Sequence, residues 1–344
     1  MSHRPPLVAS PLTVMNTAFS RIPRLVTTPV AGSVRAPHPA EPPLTPDSPM
    51  IALAYRCLRR EHRALLERQP ERGTPSTSED VHQGRIATRR LRVALRLFGA
   101  LLPQRAAEHL GKELRWLADA LGGVRDLDVH TEALREHLTS AGTTAAQELG
   151  GYELALRRER LAARDTLTDV FSGQRYATLM LDFAALLEDA PSPAALRRWQ
   201  SFTVRAGAAR YLRRARKQVV KLGRELGGDA SPDDLHRLRI RAKRLRYALE
   251  FFIEPYPALS AAAKATKALQ DVLGAYQDAR TARSKMLAYA RESRKRHGAG
   301  AAPPQALASW RLAQHRQAAQ ARRKLAPEWQ RFLTAIELPN FTAR

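Results

Sequence analysis

From Met50 onward apolar residues recur at three- and four-residue intervals and β-branched alternation is scarce, a pattern that predicts helices along the whole of this region. Candidate helices cover 50–69, 79–101, 104–121, 125–140, 144–171 and 175–189, with breaks at Pro70 and Gly73, Pro103, Gly122-Gly123 and Gly173. After Pro191 and Pro193 a second series covers 194–226, 232–253, 257–274, 276–297 and 304–336. Ser231-Pro232-Asp233-Asp234 has the make-up of a helix start: a capping hydroxyl, a proline in the first turn, and acids at the positive end of the dipole. Thr77-Ser78-Glu79-Asp80 is its counterpart earlier in the chain. Short connections between successive helices predict antiparallel packing, so the expected fold is all-α, with two pseudo-symmetric bundles over about 50–190 and 194–338 forming one domain. Residues 1–49 are dense in Pro, Ser and Thr, hold no acid before Glu41 and show no lasting periodicity; they are expected to be a disordered leader.

The two series echo each other. VHQGRIATRRLRVALRLF at 81–98 returns as LHRLRIRAKRLRYALEFF at 235–252, a constant offset of 154 positions. This pairs His82 with His236, Arg85 with Arg239, Arg89 with Lys243, Arg90 with Arg244, and Arg92 with Arg246. A second echo follows in each series, ELRWLADALGGVRDLD at 113–128 and ATKALQDVLGAYQDAR at 265–280, which share Leu117/Leu269, Asp119/Asp271, Leu121/Leu273, Gly122/Gly274 and Asp126/Asp278. Two matched elements in the same order predict a tandem repeat of a larger unit.

On a helix at 100° per residue, His82, Arg85, Arg89, Arg92 and Arg96 fall within an arc of roughly 80°. Ala87, Leu91, Ala94, Leu95 and Phe98 take the opposite side, while Ile86, Val93 and Leu97 flank the charged row. Positive groups over about 21 Å of helix with no interleaved acid repel one another, which makes them a poor structural device and a good match for a linear anion. His236, Arg239, Lys243 and Arg246 repeat the arrangement, but Glu250 stands where the first copy has Arg96, so the second row is shorter or is closed by an internal ion pair. Arginine forks suit paired phosphate oxygens, lysine adds a point charge, and a polyanion beside either histidine would favour its charged form. Arg90 and Arg244 belong to the same basic segments. Secondary basic positions are Arg56, Arg59, Arg60 and Arg63 on the first helix and Arg210, Arg213, Arg214 and Lys217 at the opening of the second series, where solvated faces are the ordinary explanation. Arg125-Asp126-x-Asp128 and Gln277-Asp278 read as helix starts that orient arginines.

Composition sharpens this picture. The 344 residues carry 57 Lys and Arg against 33 Asp and Glu, a formal net charge of +24, which calls for a polyanionic partner. Cys57 stands alone, so no internal disulfide or thiolate metal cluster can form, and no metal or cofactor is expected. With neither an apolar run of membrane-spanning length nor a compact signal peptide, the expected location is the cytoplasm, without membrane association.

The two runs His82-x-x-Arg85-Ile86-x-x-Arg89-Arg90-Leu91-Arg92 and His236-x-x-Arg239-Ile240-x-x-Lys243-Arg244-Leu245-Arg246 resemble the paired signatures of the CHAD family, the conserved histidine α-helical domain. The element L-G-x-x-R-D-x-D at 121–128 and the turn Ser172-Gly173-Gln174-Arg175-Tyr176 are similar to further family features, and the resemblance covers about 50–338. It implies a pair of helical bundles with a basic central surface that binds inorganic polyphosphate and places the protein on polyphosphate granules. Glu250, and the replacement of Arg125-Asp126-Leu127-Asp128 by Gln277-Asp278-Ala279-Arg280, depart from the pattern and imply weaker binding by the second half.

Binding without catalysis is the expected activity, since the chain has no P-loop, no HExxH and no acidic cluster to hold the magnesium that phosphoryl transfer needs. Histidine-dependent phosphotransfer or polyphosphate processing at His82 or His236 is one alternative. Nucleic acid is the alternative partner; aromatics make up only 6% of the chain and do not interleave with the basic rows, so a stacking platform is lacking.

Overall fold

The computed structural model describes residues 42–70, 74, 76–188, 191–227, 230–297 and 305–341. Among them lie ten α-helices: α1 (Met50–Leu66), α2 (Ser78–Phe98), α3 (Gln104–Ala141), α4 (Thr143–Ser172), α5 (Gln174–Glu188), α6 (Pro193–Trp199), α7 (Val204–Glu225), α8 (Pro232–Phe251), α9 (Leu259–His297) and α10 (Gln305–Ala335). The chain is all-α, as the periodicity predicts. The two starts predicted for the basic helices are both capping boxes. Thr77 accepts from the Asp80 amide and Ser231 from the Asp234 amide, and each aspartate reaches back to the cap.

Four boundaries differ from the sequence reading. Gly122-Gly123 does not end a helix: α3 runs through it, and α9 likewise runs through Gly274. Each glycine costs about 1 kcal/mol relative to alanine, but Leu117, Leu121 and Val124 are fully buried along one stripe, at roughly 1.5–3 kcal/mol apiece, and hold the helix together. The single helix expected over 194–226 is two, because Thr203 caps α7 through the Ala206 amide and the chain turns at 200–203. The leader expected through residue 49 also reaches too far. Residues 43–49 pack with the helices: the amide of Leu44 donates to Glu254, Val204 and Arg205 donate to the carbonyls of Ser48 and Pro46, and Arg205 pairs with Asp47 at 3.0 Å. The remainder of that expected leader, 1–41, lies outside the described residues.

Helices contact in succession, α1 with α2, α2 with α3 and α3 with α4, and then α7 with α8, α8 with α9 and α9 with α10. Cross-contacts join α1 to α7, α2 to α8 and α4 to α10. The two series therefore share their interior. One large core takes in Leu58, Leu91, Leu117 and Phe183 together with Leu212, Leu245, Leu273 and Phe332, and a smaller one joins Leu134, Leu149 and Tyr152 to Met286 and Trp310. The α2·α8 contact brings residues of the two basic rows together.

Candidate functional site

On α2 the predicted apolar side is the buried side: Ala87, Leu91, Ala94, Leu95 and Phe98 are all in the core. The opposite row is thereby fixed outward along the seam with α8. Arg85 and Arg89 of α2 meet Arg239 and Lys243 of α8, each close enough for its charge to act on the others across the two helices. Burial first, and then Arg89, Arg239 and Arg85, push the Lys243 ammonium down to about 6, against which Asp278 gives partial relief. Three guanidiniums and an amine driven toward its neutral form are thus brought into one place by the packing of two helices.

The acids beside them come from the long helices. Asp126 in the interior of α3 stands 3.1 Å from Arg85, and Asp278 in the interior of α9 stands 4.0 Å from Arg239. They orient arginines, as expected, but from mid-helix and not from helix starts. Gly274 of α9 lies beside the Arg239 guanidinium, which a Cβ at that position would meet in ordinary contact at 3.6 Å. Arg239 Nε is buried without a hydrogen-bond partner. Tyr247, buried on α8, accepts from Arg89 Nη1 at 3.5 Å and thereby ties the two rows together.

The row continues in both directions. Toward the start of α2, His82 is half-buried; burial and the charges of Arg125, Arg85 and Arg89 lower its pKa, with Glu79 opposing. Toward the end, Arg92 lies near Arg115, Arg96 and Arg89, with Asp119 opposing, and Arg244 lies near Arg96, Arg241 and Arg92. Arg96 and Arg244 are exposed and, among the described residues, have no carboxylate within ion-pair distance. His236 is exposed near the start of α8.

Two predicted site residues are placed differently. Arg90 pairs with Glu250 and with Glu61 (3.5 Å), and Arg246 pairs with Glu250 (3.3 Å), both guanidiniums flanking the Tyr247 ring. Glu61 is 2% exposed, so this is an internal network joining α1, α2 and α8, and its carboxylates take up the charge that the sequence reading assigned to an anion. It is also the internal ion pair expected at Glu250. The secondary positions divide in the same way. Arg56 pairs with Glu254, and Arg60 with Glu61 at 2.8 Å, whereas Arg63, Arg210, Arg213, Arg214 and Lys217 are exposed. Arg210 and Arg213 lie over the rings of Tyr211 and Phe341. Asp128 is buried and held by Arg160 and Arg164 of α4, a structural clasp away from the seam.

Sequence reasoning missed Glu61 and Tyr247. Tyr247 left a signal, since it occupies the place of Val93 in the offset alignment. Glu61 left none, because nothing in the first helix indicates that this acid faces α2. Among the described residues no helix is long and apolar enough to cross a membrane.

A family model described as the CHAD domain matches residues 50–287. Two Mycobacterium tuberculosis proteins, Rv2226 of strain H37Rv and MT2285 of strain CDC 1551, are 28% and 27% identical over 217 residues. The match covers 60% of this chain, which spans only 40% of their length. Among solved structures, PptA from Streptomyces chartreusis superposes with a TM-score of 0.62 at 20% identity, over 82% of this chain and 100% of that one. The CHAD domain from the plant Ricinus communis does so with 0.63 at 24% identity, over 89% of this chain and 98% of that one. Both are likenesses of fold.

Proposed function

This chain belongs to the CHAD domain family, and on that premise we propose that it binds inorganic polyphosphate along the α2/α8 seam without turning it over. The observation that carries the reading is the meeting of Arg85, Arg89 and Arg239 with Lys243, basic groups crowded closely enough to push the lysine toward its neutral form, with two aspartates beside them at 3.1 and 4.0 Å from Arg85 and Arg239. Packing alone gains nothing from such repulsion, whereas a chain of phosphates lying along the seam removes it. The buried, unpartnered Nε of Arg239 adds a donor, and His82 adds a second that gains charge as the anion approaches. Affinity comes from counterion release and forked arginine contacts and reads no base sequence. Tyr247 lies buried beneath guanidiniums and offers no stacking face to a nucleobase, which favours polyphosphate over nucleic acid. Attachment to polyphosphate granules in the cytoplasm belongs to the same proposal.

The test is a salt-titrated binding comparison of long-chain polyphosphate, DNA and RNA at equal phosphate concentration. Polyphosphate should bind best, and the variant with Arg85, Arg89, Arg239 and Lys243 changed to Ala should lose it. Stronger binding of DNA or RNA would replace this reading with the nucleic-acid one. Phosphate release by purified protein with magnesium, lost on His82→Ala, would show an enzyme instead.

A further inference from the structure

The cationic line does not stop at the end of α2. Arg244 lies close enough to Arg92, Arg96 and Arg241 for their charges to act on it. Arg241 in turn crosses to α7, where its Nη1 donates to the carbonyl of Gln218 at 3.0 Å. Further round α7 from Gln218, that helix and the segment after α10 border an open groove of about 1060 Å³. Five cations of α7 line it, Arg213, Arg216, Lys217, Lys221 and Arg224, against only two acids.

Those cations are unequally committed. Lys221 lies 3.8 Å from Glu225, and Arg216 Nε donates to the carbonyl of Ile336, which fixes the far wall. Arg213 lies over the Phe341 ring. Lys217 and Arg224 are exposed and have no carboxylate within ion-pair distance among the described residues. From Arg213 to Arg224 the lined face is about 16 Å long at 1.5 Å per residue, comparable with the stripe on α2. A long linear anion that follows Arg244 and Arg241 to α7 has this second basic face further round the same helix.

We propose that the α7 groove is a second polyphosphate subsite, reached over Arg244 and Arg241, so that one long chain occupies the seam and the groove in succession. This rests on the seam being the first polyphosphate site. Two subsites on one ligand act as linked binding events, so chain length sets affinity: a short phosphate oligomer fills only the seam, and a long one gains from both.

The experiment compares inorganic tripolyphosphate with long-chain polyphosphate on the full chain, in wild type, Lys217→Gln/Arg224→Gln and Arg85→Gln/Arg89→Gln. The α7 variant changes two exposed residues, and a melting curve checks its fold. Expected for it is a loss of about tenfold or more in long-chain affinity with tripolyphosphate affinity unchanged. Unchanged long-chain affinity, or an equal loss for both ligands, overturns the second subsite. Long-chain binding that survives intact in Arg85→Gln/Arg89→Gln overturns the seam itself, so the two failures are told apart.

Discussion

Glu250 lies 3.3 Å from Arg246, one turn earlier on the same helix, and its other oxygen holds Arg90 of the facing helix. A single carboxylate thus withdraws two arginines from a surface that otherwise gathers positive charge. Glu250→Gln should release Arg246, while Arg90 keeps its pair with Glu61. Stability is expected to fall by about 1–3 kcal/mol, the range for depriving buried charged donors of their partner, while polyphosphate affinity rises. Urea denaturation and a binding titration on the same preparation check the opposite signs.

Lys243 couples binding to protons. With a pKa near 6 in the free protein, its side chain is largely neutral at physiological pH, held there by burial and by Arg89, Arg239 and Arg85, with Asp278 opposing. Asp126 and Arg125 of α3 complete the charges around this cluster. A phosphate chain raises the Lys243 pKa, so binding takes up protons near neutral pH. The resulting gain in affinity is fully present below about 6 and is lost as pH rises through the bound-state value. Calorimetry in two buffers of different ionisation enthalpy should detect the uptake, and Lys243→Arg should leave only the part due to His82. Without ligand the sign reverses in origin: the unfolded chain holds the Lys243 proton more firmly, so this residue subtracts stability as pH falls from 10.5 to about 6 and subtracts no more below that.

Arg89 occupies the middle of the seam and is tied to Tyr247. Arg89→Ala should weaken polyphosphate binding by about 1.5–3 kcal/mol, roughly ten- to hundredfold, and reduce the slope of log affinity against log salt by about one. A loss of affinity with the slope unchanged would mean that Arg89 holds the helices and not the anion.

Gly223 of α7 lies against the six-membered ring of the Trp329 indole, and a methyl group there would overlap its Cη2. Gly223→Ala gains helix propensity but forces Trp329 aside. The expected net loss is about 1–2 kcal/mol by denaturant midpoint, with tripolyphosphate affinity retained.

The helical class and both basic rows were legible in the sequence, because three-and-four spacing is a property of the helix surface and survives without knowledge of the partners. The caps at Thr77 and Ser231 were legible for the same local reason. What the rows face was not. Gly122-Gly123 read as a break, and only the burial of Leu117, Leu121 and Val124 makes α3 continuous and places Asp126 beside Arg85. Arg90 read as an anion ligand because its acids, Glu61 and Glu250, reach it through tertiary packing, whereas the Arg246–Glu250 pair lies within one helix and matches the internal ion pair expected at Glu250. The ordered stretch 43–49 escaped notice because backbone amides and carbonyls make most of its contacts, and these leave no side-chain periodicity.

Because Leu91 and Phe183 share an interior with Leu245 and Phe332, the α1–α5 and α7–α10 series cannot be separated as independent pieces. Severing the chain between them would strip each fragment of a wall it borrows from the other. Two such fragments expressed together should reassemble, while either one alone should precipitate, because each lacks half of the shared interior.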